Sequence, residues 1–315
     1  MEGTVRYTVI VPVYNEEAVV NETYRRLTLV MESIGDTYEL LFVNDGSSDQ
    51  TASLIREFAQ QDDRVRLLDF SRNFGHQMAI TAGMDYARGD AVVIIDADLQ
   101  DPPEVIPRMI EKWQAGYDVV YARRVKRNGE TLFKKWTAAV FYRTLRALAE
   151  VDIPLDTGDF RLIDRKVCEA MKSIREKNRF VRGLVSWVGF SQTAVEYVRE
   201  ERFAGETKYP LKKMLRFAAD GIASFSHKPL KLAMHLGLAI SFAGFVCLVA
   251  SVALALFKGD PAAGWAVLFA GLFLLDGVIL IALGIMGEYV GRIYDEVKNR
   301  PLYLLRNEDE VGNRR

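Results

Sequence analysis

Apolar positions in the N-terminal part of the chain follow two alternating patterns. Short runs rich in Val, Ile, Leu and Tyr stand at YTVIV (7–11), YELLFV (38–43), RVRLL (64–68), AVVII (91–95) and DVVYA (118–122). Between them, over 16–33, 49–61, 77–88 and 103–115, apolar residues recur three and four positions apart, as one buried helix face requires. Pro103 suits the first turn of the last of these helices. Strands alternating with helices predict an α/β fold, a mostly parallel sheet with helices on both faces. Ligands of such sheets bind at the carboxyl ends of the strands, so the residues that close each run are the first candidates for chemistry.

The C-terminal part is patterned differently. Residues 233–257 carry no formal charge, and a run of about 25 apolar residues is long enough to cross a bilayer. After the turn-like KGDPAAG, a second run over 264–287 is interrupted only by Asp276. Two such runs in tandem predict a transmembrane hairpin. Lys212, Lys213, Arg216, Lys228 and Lys231 precede it and Arg292, Lys298 and Arg300 follow, with only Lys258 between. That bias predicts a multi-pass protein of the inner membrane with both termini and the large N-terminal part on the cytoplasmic side. An ionised acid at mid-span costs roughly 2.5–3.5 kcal/mol, so Asp276 is expected to pack against a partner; Ser241 and Gly244 lie at similar depth. MEGTVRYTVIVPVYNEE runs straight into the first strand, and no cleavable signal peptide is expected.

Composition adds little. The net charge of −1 gives no global reason to expect nucleic acid. Cys168 and Cys247 lie far apart without metal or disulfide spacing and read as reduced thiols.

The strand ends are more informative. They carry Pro12-Val13-Tyr14-Asn15-Glu16, Asn44-Asp45-Gly46-Ser47-Ser48-Asp49, Ser71-Arg72-Asn73 and DADLQDPP (96–103). Carboxylates crowded at a strand end repel one another and lose solvation, whereas a hard divalent cation needs such oxygen ligands. Neither a G-x-G-x-x-G turn nor a G-x-x-x-x-G-K-[ST] loop accompanies them, which argues against nicotinamide cofactors and P-loop triphosphates. Asp101, just before two prolines, reads equally as a ligand or as a helix cap.

The stretches VPVYNEE (11–17), VNDGSSD (43–49), SRNFGHQMAITAGMDYA (71–87), DADLQDPPE (96–104), TGDFRLIDR (157–165) and GEYVGRIYDEVKNRP (287–301), in this order, resemble family-2 glycosyltransferases of the GT-A type. The narrower resemblance is to bacterial polyprenyl-phosphate glycosyltransferases of the bactoprenol glucosyltransferase type, relatives of dolichyl-phosphate mannose synthase. It implies a Rossmann-like GT-A core (1–131), an acceptor-side segment with juxtamembrane helices (132–232), a hairpin (233–287, with spans about 233–257 and 264–287) and a cytoplasmic tail (288–315). The implied reaction is metal-dependent, inverting transfer of one sugar from a UDP-sugar, with glucose first, to undecaprenyl phosphate on the cytoplasmic leaflet.

Carried over by position, the resemblance implies that Pro12, Tyr14, Glu16 and Asp45 line the uridine pocket, with Arg72 also on the donor side. Asp96 would contact the ribose or sugar and stand near the metal, Mg²⁺ or Mn²⁺, which Asp98 and Gln100 would reach. Asp159 occupies the family's base position, but a lipid phosphate with a second pKa of about 6 is already mostly dianionic at neutral pH. Positioning is therefore the alternative role for Asp159, and Arg161 shares its face if the piece is extended. On the acceptor side stand Arg202 and Lys208, the basic run 123–127 and a predicted amphipathic helix over 132–148. The resemblance also implies a lipid bilayer, no nucleic acid, and a homo-oligomer, a tetramer among the options. A processive polysaccharide synthase lacks support, since Q-x-x-R-W and further spans are not found. A non-catalytic scaffold or flippase partner is opposed by the presence of Asp45, Asp96, Asp98, Gln100 and Asp159 together.

Overall fold

The computed structural model describes residues 5–125, 157–199, scattered positions within 233–253, and 261–306. Its seven strands are β1 Tyr7–Val13, β2 Tyr38–Asn44, β3 Val65–Asp69, β4 Ala91–Ile94, β5 Val119–Arg124, β6 Thr157–Asp164 and β7 Gln192–Tyr197. They form one sheet in the order β3-β2-β1-β4-β6-β5-β7. All run parallel except β6, which is antiparallel to both neighbours.

Four helices follow the expected alternation, α1 Val20–Ile34, α2 Thr51–Gln61, α3 His76–Tyr86 and α4 Ile106–Gln114, while α5 Arg165–Ser173 and α6 Val181–Trp187 come in succession after β6, beyond the predicted helices. α1, α2 and α4 cover one face of the sheet, while α3, α5 and α6 cover the other. Alternation along β1 explains the two layers. Tyr7, Val9 and Val11 pack with Leu27 and Met31 of α1 and Met109 of α4 in one buried cluster, and Ile10 faces α3. Pro103 opens a short 3₁₀ turn, Pro103–Val105, that leads into α4.

Two strands escaped the sequence pattern. β6 is buried on both faces along most of its length, so period-2 alternation is absent. β7 is short and carries mixed polar residues. α1 also begins later than the periodicity suggests. Asn15 adopts a left-handed φ of 54°, and the amides of residues 15–17 donate to Ser47, Thr51 and Asp49, in the loop after β2 and the first residue of α2, instead of coiling.

A second compact unit, Ile222–Arg300, contains α7, Pro261–Val297. Among the described residues one helix is long and apolar enough to cross a membrane, the part Leu274–Val297. It continues past Gly287, where the apolar run ends, supported by the Arg292–Glu288 pair at 3.0 Å one turn apart. A shorter apolar helix, Gly237–Val246, belongs to the same unit. A Cβ on Gly244 would touch Leu275 Cδ1 at 3.9 Å, so the two apolar helices meet there. Asp276 is exposed in the single chain. The predicted helix over 132–148, with Arg202 and Lys208, lies outside the described residues.

Gly83 fixes the distance between α3 and β1, since a Cβ there would stand 2.3 Å from Ile10 Cγ2. Gly83→Val should therefore cost about 2–3 kcal/mol by overpacking, read as a lowered unfolding midpoint. Ile10→Ala in the same chain should recover part of the loss.

Candidate active site

The polar clusters converge on the edge where β1, β2 and β4 end. Because β6 runs the opposite way, its first residues arrive at this edge. Ile94 pairs with Arg161 in the β4–β6 register, which carried two residues further sets Asp96 opposite Asp159. The topology thus joins two carboxylates that lie far apart in sequence.

Asp159 is 5% exposed, and both of its oxygens are engaged. Arg182 Nε donates to Oδ1 at 2.8 Å and Arg182 Nη2 to Oδ2 at 3.1 Å, while His76 Nε2 lies 3.2 Å from Oδ2. Burial alone would raise its pKa, but Arg182 and His76 outweigh burial and hold the carboxyl well below the usual range. His76 responds in kind. Burial disfavours its charged form, yet Asp96 and Asp159 raise its pKa to about 9. A Gln77 side chain, accepting from Val181 N–H at 2.9 Å, ties the start of α3 to the start of α6 and so aims Arg182.

Asp96 is the least satisfied acid. Its Oδ1 is buried without a hydrogen bond among the described residues and pairs with His76 Nε2 at 3.4 Å. Burial first, then Asp159, Asp101 and Asp98, raise its pKa, and His76 opposes them. Asp98 accepts from Gln100 N–H at 3.1 Å across a tight turn. At the turn's centre Leu99 is buried with φ 58°, a left-handed conformation that costs a branched residue roughly 1–2 kcal/mol. Strain of this kind concentrates at functional sites.

Asp45 has a different task. Its carboxylate accepts from Phe74 N–H at 2.6 Å and from Gly75 N–H at 3.0 Å, fixing the loop that delivers His76. Burial pushes its pKa up and these amides oppose the rise. Gly46 beneath that loop is irreplaceable, since a Cβ would lie 2.5 Å from the Arg72 carbonyl carbon. Arg72 stacks on the Phe74 ring at 4.0 Å and stays exposed. Tyr14 is exposed and Glu16 half-buried on the neighbouring loop, whereas Pro12 is buried within β1.

Three groups make contacts that the sequence does not indicate. Asp101 does not cap the turn that follows it. It is buried and accepts from Tyr197 OH, with Arg124 Nη2 at 3.4 Å and Arg199 Nε at 3.6 Å, so it anchors β5 and β7 to the site. Arg161 does share the face of Asp159 on an extended strand, but its guanidinium donates to the carbonyls of Gly158 and Asp159 and is buried there. Burial first lowers its pKa, to about 10. The arginine that meets the Asp159 carboxylate is Arg182. Finally, Arg123 and Arg124 of the basic run are paired, with Glu196 and Asp101 respectively. Arg182 and His76 were not singled out in the sequence; His76 lies in a quoted motif, and nothing local marks Arg182.

No group of three or more His, Cys, Asp or Glu arranged to hold a metal is present among the described residues. Asp96, Asp98 and Gln100 nonetheless offer oxygen donors on one strained turn, one of them orphaned. Such a set suits a hard cation whose remaining ligands come from water and substrate phosphates.

Residues 8–171 match the family described as Glycosyl transferase family 2. The chain belongs to that family. This glycosyltransferase is 60% identical over 315 residues to an uncharacterized glycosyltransferase, YkcC, of Bacillus subtilis (strain 168), covering 100% of this chain and 98% of that one. It is 42% identical to the bactoprenol glucosyl transferase of Shigella phage SfV, over 97% of this chain and 99% of the relative. Among solved structures, glucosyl-3-phosphoglycerate synthase from Mycobacterium tuberculosis, in complex with Mn²⁺, UDP and phosphoglyceric acid, is similar at a TM-score of 0.48 and 20% identity, over 70% of this chain and 76% of that one.

Removing Arg182 would leave a buried carboxylate with His76 as its remaining side-chain partner among the described residues. Arg182→Met in this glycosyltransferase should cost roughly 3 kcal/mol of stability, and Arg182→Met with Asp159→Asn should cost less than Arg182→Met alone. Unfolding midpoints of the two variants check both statements.

Proposed function

We propose that the enzyme transfers one glucosyl unit from UDP-glucose to undecaprenyl phosphate, with inversion, at the cytoplasmic face of the inner membrane. The observation that carries this reading is the near-full-length identity to a bactoprenol glucosyl transferase. The apolar part of α7, Leu274–Val297, supports attachment to a bilayer, and the basic residues on either side of the apolar segment support a cytoplasmic active site.

The chemistry asks little of the protein as a proton carrier. A phosphate oxygen of the lipid forms the new bond to the anomeric carbon as the bond to the diphosphate breaks, and the electron pair leaves with UDP. No proton must be removed from a nucleophile that is already dianionic. Asp159, ionised and gripped on both oxygens, is a poor base and a good anchor. In this reading it holds Arg182 and His76 as fixed positive charges beside the reacting groups, where preorganised charge stabilises a transition state most. Tyr14, Glu16, Asp45 and Arg72 frame the nucleoside side, and Arg202 and Lys208 the phosphates. Asp96, Asp98 and Gln100 would hold Mg²⁺ or Mn²⁺, which would stabilise negative charge on the departing diphosphate.

The test is label transfer from a panel of UDP-sugars to undecaprenyl phosphate by the purified enzyme in detergent. UDP-glucose alone should label the lipid phase, and both chelator and Asp98→Ala should abolish it. Transfer from a different donor, or none with intact UDP binding, would overturn the assignment. A separate experiment addresses Asp159. Asp159→Asn should lose activity by about a hundredfold or more at every pH, as loss of preorganised charge does; recovery as pH rises past about 6 would instead mark an obligatory base.

A further inference from the structure

The residues that follow α7 return to the sheet. Between Pro301 and Arg306 the chain lies along the β3 edge, forming an antiparallel bridge between Leu305 and Phe70. Ser71 N–H donates to the Leu304 carbonyl at 2.9 Å, and Arg306 N–H to the Asp69 carbonyl at 2.7 Å. The strap therefore grips β3 and the first residue of the loop that Asp45 holds from inside.

Tyr303 makes the grip specific. Its ring stacks on Phe70 with centroids 5.2 Å apart and planes 10° from parallel, and Phe70 in turn meets Phe74 edge-on at 5.6 Å. Its hydroxyl donates at 2.8 Å to Asp85 on the last turn of α3, where Arg175 also binds at 2.7 Å. One side chain thus touches the floor of the 70–75 loop and the far end of the helix that begins with His76. Covering an edge strand needs neither contact, since backbone bonds alone would do it.

We propose that Tyr303 is a positioning residue, acting through Phe70 and Asp85 to hold the loop 70–76 and His76 in working geometry. The segment that leaves the apolar helix is then part of the donor side of the active site. The donor-side consequence rests on the function proposed above; the positional claim does not.

Hydrogen exchange on the full-length enzyme in detergent separates the two. In Tyr303→Leu, which keeps an apolar side chain, the amides of Phe74 and Gly75 should exchange about tenfold faster, while amides in 7–13 stay unchanged. Tyr303→Phe, which keeps the stacking, should restore most of the protection. The affinity for UDP should fall about fivefold in Tyr303→Leu, with KM for the lipid acceptor unaltered. Unchanged exchange at 74–75 would overturn the proposal, as would equal deprotection of 7–13, which marks a merely structural cover. Should no lipid be glucosylated although the loop is deprotected, the acceptor assignment fails and the positional role stands.

Discussion

The site is governed by the need to compensate acids brought together at one edge of a sheet. Asp45, Asp96, Asp98, Asp101 and Asp159 all gather there, and an unpaired buried carboxylate costs several kcal/mol. Each solution is different. Asp45 takes backbone amides, Asp101 takes a tyrosine and two arginines, and Asp159 takes Arg182 and His76. Every one of these partners also ties a second element to the edge, so compensating charge and building the cleft are the same act. Asp96 is left with an orphaned oxygen beside Asp98. The acids so compensated hold the fold, and Asp96 keeps only the His76 contact at 3.4 Å on this oxygen among the described residues.

The reversed strand is what makes this geometry reachable. Had β6 run parallel, its first residues would lie at the opposite edge of the sheet. Antiparallel insertion between β4 and β5 instead delivers Gly158 and Asp159 beside the end of β4. A Cβ on Gly158 would stand 2.7 Å from Arg124 Nη2, so a larger residue would push that guanidinium aside. The Asp101–Arg124 pair therefore passes directly under the start of the strand that carries Asp159.

Much of this was legible from residue order. The runs at 7–11, 38–43, 64–68 and 91–95 correspond to β1 to β4 within two residues at each end, because hydrophobic run length and helical spacing are local properties. The carboxylates ending those strands were legible for the same reason. β6 was not, since burial on both faces erases alternation. Arg182 was not legible either. Its role depends on a helix more than twenty positions beyond Asp159 and on the Gln77 contact that aims it, neither of which leaves a local trace. Asp101 stayed open between ligand and cap, because Asp-Pro-Pro is a correct local signal for a helix start while the long-range partners that hold the side chain leave no local trace.

Asp159 shows how the compensation bears on catalysis. A base must be able to accept a proton near working pH, and its pKa is normally tuned upward by burial for that purpose. Here burial is present, but a bidentate guanidinium and an imidazole reverse its effect. An enzyme acting on an alcohol would gain nothing from so firmly ionised a carboxylate. An enzyme whose nucleophile arrives as a phosphate dianion can keep the acid as a strut, and needs positive charge held where two anionic substrates meet. Arg182 and His76 are both fixed by that strut, and the tail that returns from α7 bears on the helix carrying one of them. The acid in the family's base position is, in the proposed reaction, the part that keeps the cations still.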